Sequence, residues 1–194
     1  MFDVFPEAVP IYVCEQIIKD CKQNILEQAE VSNSNRKSLR DRPDVRKTSV
    51  SFIEDKDSRI NELAWHFLRK ANESLFHYDL AFFQAIQFAE YKVGDFFDWH
   101  QDYAGINKSN EVRKLSLTLV LSNPDTFEGG ELQFYNGGRH TEDGITKTWE
   151  QAKHDIQSQG TAIVFDSRDW HRVTPVTKGV RHSIVCWTVG PNFK

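Results

Sequence analysis

At 194 residues, with 39% hydrophobic and 12% aromatic side chains, the chain has the length of one domain with a single sizeable core, not of tandem domains. Lys and Arg number 24 and Asp and Glu 28, a net charge of −4, which argues against nucleic-acid binding by bulk charge and leaves only a local basic patch for such a role. The apolar-rich run 80–88 is far too short to span a bilayer and contains Gln84 and Gln87. Asp3 and Glu7 stand where a signal peptide carries lysine, and Cys14, Cys21 and Cys186 lack metal-site spacing and read as core thiols of a reducing compartment. The expectation is one cytoplasmic domain over 1–194 with no membrane segment.

In chain order, Pro10 opens a stretch in which Cys14, Ile17, Ile18, Cys21, Ile25 and Leu26 recur at steps of three and four, the stripe of an amphipathic helix. The stretch 32–47 is polar, contains Pro43 and reads as a long loop. Its basic run (Arg36, Lys37, Arg40, Arg42, Arg46, Lys47) is broken by Asp41 and Asp44 and has no aromatic side chains for base stacking. A second stripe, Ile60, Leu63, Ala64, Phe67, Leu68, Ala71 and Leu75, predicts another helix with Asp57 or Ser58 as its N-cap. From Leu80 the period falls to two. Leu115, Leu117, Leu119 and Leu121 alternate with Lys114, Ser116, Thr118 and Val120, predicting a half-buried strand. Short strands follow over 131–135, 161–166, 170–174 and 180–189, separated by turn signals such as Asn123-Pro124-Asp125, Gly129-Gly130 and Lys178-Gly179. Two helices followed by many short strands predict an α+β chain: helical support over about 1–79, then a helix-backed sandwich or jelly roll over about 80–190.

Three short stretches carry chemistry. In Asp98-Trp99-His100-Gln101-Asp102 an extended chain points His100 and Asp102 the same way. In Trp170-His171-Arg172 a second histidine falls among apolar and β-branched neighbours, where a structural role competes with a ligand role. In Arg181-His182-Ser183 a guanidinium heads a strongly apolar strand and shares a face with Ser183, while His182 alternates to the other face. A buried guanidinium needs an anion, either an internal Asp or Glu or a bound carboxylate. Two histidines and one carboxylate can occupy one face of an iron(II) octahedron and leave three positions open. Those positions suit O₂ and a co-substrate that chelates through two oxygens.

Order and spacing extend the pattern: Tyr91-Lys92-Val93-Gly94, His100-x-Asp102, the 115–121 strand, Ser122-Asn123-Pro124-Asp125, Phe127-Glu128-Gly129-Gly130-Glu131-Leu132, His171-Arg172-Val173-Thr174-Pro175-Val176, Lys178-Gly179, Arg181-x-Ser183 and Trp187. Over roughly 80–190 the chain resembles the iron(II)/2-oxoglutarate-dependent dioxygenases of the prolyl 4-hydroxylase and PKHD-type branch. More weakly, Val45-Arg46-Lys47-Thr48-Ser49 through Phe52 resembles the strand that precedes the second long helix of prolyl hydroxylases. Many animal prolyl 4-hydroxylases carry lysine where Arg181 stands. The resemblance implies a double-stranded β-helix (jelly roll) backed by N-terminal helices. It implies Fe(II) held by His100, Asp102 and His171, the distal carboxylate of 2-oxoglutarate on Arg181 and Ser183, and Tyr91 lining that pocket. It implies O₂ as second co-substrate, ascorbate as a candidate reductant, and 32–47 as a lid over a peptide or protein substrate.

Tyr103, Trp187 and Arg46 are the candidate substrate contacts. Trp99 and Trp170 read as core packing that stiffens the site, with substrate contact as the alternative. His66, His77, His140 and His154 show no ligand spacing. The leading expectation is hydroxylation of a prolyl residue in a peptide or protein. The same chemistry on a free amino acid, another side chain or a nucleobase is the alternative. A zinc hydrolase on the same three ligands leaves Arg181 without a task, and a non-catalytic module leaves a complete ligand set without one.

Overall fold

The computed structural model describes residues 2–23, 27–28, 45–53, 58–84, 86–103, 105–107, 110–135, 140–142, 145–147 and 156–193. The expected 32–47 loop lies outside them up to residue 44, and the lid expectation with it. In chain order the elements are β1 (Phe2–Phe5), α1 (Ile11–Cys21), β2 (Glu27–Gln28), β3 (Arg46–Lys47), β4 (Ser49–Ile53), α2 (Arg59–Ala71) and a π-helical turn (Asn72–Phe76). Then come β5 (Phe82–Phe83), β6 (Ile86–Tyr91), β7 (Phe96–His100), β8 (Glu111–Val120), a 3₁₀ turn (Pro124–Thr126), β9 (Glu128–Gly129) and β10 (Leu132–Phe134). The last are β11 (His140–Glu142), β12 (Ile145–Lys147), β13 (Ala162–Asp166), β14 (His171–Val173), β15 (Val176–Lys178) and β16 (Arg181–Pro191).

Both helices form where their apolar stripes predict. Pro10 precedes α1, which buries Cys14, Ile17 and Cys21 and ends at Cys21, short of Ile25. Ser58 is the N-cap of α2, accepting the Asn61 N–H at 3.3 Å. The first third is not purely helical support, however. β1 and β4 join the larger sheet, and β3 joins the smaller one. Phe2 and Val4 face inward while Asp3 and Phe5 are half-buried, a period-two pattern too short to stand out in sequence. No described helix is long and apolar enough to cross a membrane.

The larger antiparallel sheet runs β1-β13-β8-β16-β6-β4-β2, with β5 on the far end of β16, and the smaller runs β10-β14-β7-β3. One face of the larger sheet packs on the helices through Leu115, Leu117, Leu119 and Leu121 against Cys14, Ile17, Ala64 and Leu68. Its other face meets the smaller sheet through Phe2, Ala89, Tyr91, Val120 and Phe165 against Leu132, Phe134 and Val173. Two sheets closed over a shared interior and backed by helices make the jelly roll. Ser116, Thr118 and Val120 are therefore buried too. The half-buried reading of β8 is corrected: its polar face lines the barrel interior, not solvent. Burial pushes the Cys14 and Cys21 thiols up to about 11, so they stay protonated as core residues. Leu68 is fully enclosed, so Leu68→Ala should cost about 2–5 kcal/mol in urea unfolding.

Candidate active site

β7 and β14 are paired so that His100 and His171 stand directly opposite each other. Asp102 follows two residues beyond the end of β7. The Nε2 atom of His100 lies 3.6 Å from Asp102 Oδ1, and Nε2 of His171 lies 3.5 Å from Oδ2. One potential ligand atom from each residue falls within 4.8 Å of the other two. Among the described residues, no other set of three or more His, Cys, Asp or Glu side chains converges in this way.

Each imidazole is aimed by its own backbone. Nδ1 of His100 meets the Asp98 carbonyl at 2.7 Å, and Nδ1 of His171 meets the Asp169 carbonyl at 2.9 Å. A carbonyl accepts only, so Nδ1–H is the donor and Nε2 keeps its lone pair for a metal. Burial pushes His100 down to about 3, and His171 beside it adds to the drop. The ring is therefore neutral, as a ligand must be. Phe97 stacks on His100 with centroids 3.4 Å apart, and Phe165 meets His171 edge-on at 4.6 Å. These rings keep the imidazoles in their rotamers and away from water.

Asp102 is held by residues that sequence reasoning missed. Ser116 on β8 donates to Oδ2 at 2.7 Å, and its hydroxyl lies 3.0 Å from that of Ser167. Arg113 donates to the Asp102 carbonyl oxygen at 3.3 Å. Burial alone would raise the Asp102 carboxyl. His171, His100, Arg113 and the Ser116 hydroxyl outweigh it and hold the group below the usual carboxylate range. Ser116→Ala removes the donor and leaves Oδ2 short of a partner in a buried site. Metal affinity in Ser116→Ala should fall about 10–100-fold, as for other supporting residues, with the fold intact by circular dichroism.

Arg181 opens β16 and is only 2% exposed. Its partners among the described residues are Ser183, whose hydroxyl accepts from Nη1 at 3.1 Å, and the Tyr91 ring, 5.5 Å from Cζ. No carboxylate is among them. The internal-anion alternative raised by the sequence is therefore unsupported, and an uncompensated buried guanidinium is a built site for an anionic ligand. Gly130 makes room for it. A Cβ there would stand 2.8 Å from Arg181 Cδ and 3.1 Å from Val176 Cγ2, at a φ of +63°.

The three candidate substrate contacts fall in different settings. Arg46 on β3 lies 4.5 Å over the Phe97 ring, on the ring that stacks against His100. Its buried Nε has no hydrogen-bond partner among the described residues. Trp187 is buried, belongs to neither apolar cluster and carries Arg113 4.0 Å over its ring. Its Nε1 is also without a hydrogen-bond partner among the described residues. Tyr103 is half-buried beside Asp102, its N–H held by the Ser167 carbonyl at 2.8 Å.

The core reading of Trp170 is overturned. It is 48% exposed, because alternation along β14 turns residues 170 and 172 to the outer face of the smaller sheet. Trp99 lies on that face too, half-buried under Arg172 at 4.7 Å and against Tyr135. His182 faces away from Arg181, as alternation predicts, and pairs with Glu90 at 3.1 Å.

Residues 86–189 match the 2OG-Fe(II) oxygenase superfamily. The chain belongs to this superfamily. A PKHD-type hydroxylase of Shewanella sp. strain MR-7 is 34% identical over 102 residues, which cover 52% of this chain and 40% of that relative. The matched segment thus spans well under half of the curated relative. Among solved structures, a Pseudomonas putida prolyl-4-hydroxylase superposes with a TM-score of 0.65 at 21% identity, covering 96% of this chain and 91% of that one. A Trichoplax adhaerens prolyl hydroxylase in complex with a hypoxia-inducible-factor peptide fragment gives 0.65 at 16% identity, covering 96% and 82%. These likenesses agree with the jelly roll described above. The superfamily takes Fe(II), 2-oxoglutarate and O₂, and the residues of this chain fit that set. Two imidazole Nε2 atoms and a carboxylate offer a facial set of ligands, and unpaired Arg181 offers a fork to a carboxylate.

Proposed function

We propose that this oxygenase is an Fe(II)- and 2-oxoglutarate-dependent dioxygenase that hydroxylates a prolyl residue in a peptide or protein. The observation that carries the dioxygenase reading is Arg181, buried with no carboxylate partner among the described residues, in the same barrel as the His100, Asp102 and His171 cluster. A hydrolytic zinc site on these ligands would give that cation no role. Bound iron would supply the chemistry in which one atom of O₂ enters succinate as 2-oxoglutarate loses CO₂ and the other atom goes to a substrate carbon.

The chain's own residues set geometry and access. His100, Asp102 and His171 would hold the metal; Arg181 and Ser183 would hold the distal carboxylate of 2-oxoglutarate, with Tyr91 closing the pocket beside them. Phe97 and Phe165 would screen the imidazoles from water. The prolyl assignment draws support from the relatives, which are named hydroxylases, and from the neighbours, which are named prolyl hydroxylases. A second reading rests on charge. Arg46 and Arg113 both lie close to the cluster, which has Asp102 as its one carboxylate, and this favours a free amino acid whose carboxylate meets one of them.

The experiment is anaerobic loading with Fe(II), then measurement of succinate against a panel of proline-containing peptides and free amino acids, with mass spectrometry of each product. Gain of one oxygen atom on a prolyl peptide supports the proposal. Gain on a free amino acid alone selects the second reading. Hydrolysis without succinate would overturn both.

A further inference from the structure

The turn between β13 and β14 is bonded to both ligand-bearing segments of the chain. Three consecutive carbonyls in it are committed to them. Ser167 accepts the Tyr103 N–H at 2.8 Å, Arg168 accepts from Gln101 Nε2, and Asp169 accepts from His171 Nδ1 at 2.9 Å. The Ser167 hydroxyl adds a fourth link, through Ser116 to Asp102. One four-residue turn thus holds the Tyr103 backbone and the Gln101 side chain, on either side of Asp102, and the ring plane of His171.

The turn is itself locked from behind by groups that touch none of the ligands. Asp166 accepts the Asp169 N–H through its carbonyl at 2.9 Å and the Arg168 N–H through Oδ1 at 2.8 Å. Its carboxylate takes the Arg168 guanidinium in a fork, Nε to Oδ1 at 2.9 Å and Nη2 to Oδ2 at 2.6 Å. Tyr78 donates its hydroxyl to Oδ2 at 2.6 Å. The guanidinium lies 3.8 Å over Phe193, and the Lys114 ammonium is 3.7 Å from the same ring. A bidentate pair fixes geometry as well as energy, and here it fixes the direction of three carbonyls.

We infer that Asp166 and Arg168, backed by Tyr78, are positioning residues for the metal site: they set the turn that orients Asp102 and His171 without contacting the metal themselves. The inference rests on the metal reading proposed above. Residues that orient ligands through hydrogen bonds typically change metal affinity about 10–100-fold when lost.

Co(II) serves as the probe, since its visible ligand-field spectrum reports coordination geometry independently of turnover. Titrated into the full chain, Asp166→Asn and Arg168→Ala should weaken Co(II) binding by about 10–100-fold and change the spectrum of the bound ion. Tyr78→Phe should change it in the same direction by less. Leu68→Ala, which destabilises the helix-side core, should lower Tm yet keep the wild-type spectrum and affinity. Wild-type spectra and affinities in Asp166→Asn and Arg168→Ala would overturn the inference, as would equal weakening in Leu68→Ala. Should Asp166→Asn fail to fold, Arg168→Ala, whose side chain is 45% exposed, and Tyr78→Phe decide the matter. Failure of the metal reading looks different: His171→Ala would bind Co(II) as tightly as the parent chain.

Discussion

His171→Ala is expected to lose Fe(II) binding and turnover while keeping the jelly roll. The imidazole contributes Nε2 to the cluster and is 5% exposed, but its apolar neighbours Phe134 and Phe165 also pack on each other at 5.1 Å. The core therefore survives its removal. Loss of a direct ligand should exceed the roughly 10–100-fold typical of a supporting residue. The same result is expected for His100→Ala, whose partner Phe97 keeps its contact with Arg46, and for Asp102→Ala. An anaerobic Fe(II) titration with circular dichroism checks all three. Near-normal affinity and turnover in any one of them would remove that residue from the ligand set.

Arg181→Ala is expected to separate co-substrate binding from metal binding. Charge-assisted hydrogen bonds contribute about 1.5–3 kcal/mol each, so losing the guanidinium should raise the 2-oxoglutarate requirement about 10–100-fold or more, with Fe(II) affinity little changed. Ser183→Ala should cost less, because it removes one neutral hydroxyl. In the absence of an anion Arg181 is a buried charge without a carboxylate partner among the described residues, so its removal should cost the ligand-free protein no stability. That opposition, weaker 2-oxoglutarate binding without a lower ligand-free Tm, is what a core arginine would not produce. Gly130→Ala should give a milder form of the same defect, since its Cβ would press on the arginine stem. Unchanged 2-oxoglutarate dependence in Arg181→Ala would place the anion site elsewhere and revive the hydrolytic reading.

The residues proposed to meet the metal and the co-substrate were legible because their signals are local. His100 and Asp102 share a strand face by alternation. Arg181 is conspicuous as a guanidinium heading an apolar strand. His171 gained weight only in the company of the other two. The residues that support them were hidden by the same periodicity. Ser116 and Thr118 look like the solvated half of β8, and only closure of the second sheet over them shows that their environment is the barrel interior. Trp170 fails in the opposite direction, since hydrophobicity suggests core while the strand face decides exposure. Asp166 closes the predicted 161–166 strand, and Ser167, Arg168 and Asp169 carry no signal in the sequence at all. Their meaning comes from Gln101, Tyr103 and Ser116, 51 to 67 positions away for the bonds made to Ser116 and Gln101, and no period in the chain encodes a contact of that range.

The direct register of His100 against His171 has a thermodynamic corollary. An ion taken up there joins β7 to β14 across a ladder that is irregular at that point, since the register shifts between His171 and Val173. It is a removable cross-link between segments far apart in the chain, binding the folded state and not the unfolded one. Linkage then makes stability a function of free metal: about 2.7 kcal/mol is gained at a concentration one hundred times the dissociation constant. The smaller sheet would hold its tightest closure only when supplied with its ion, and a chelator would loosen it before it touched the helix-backed core.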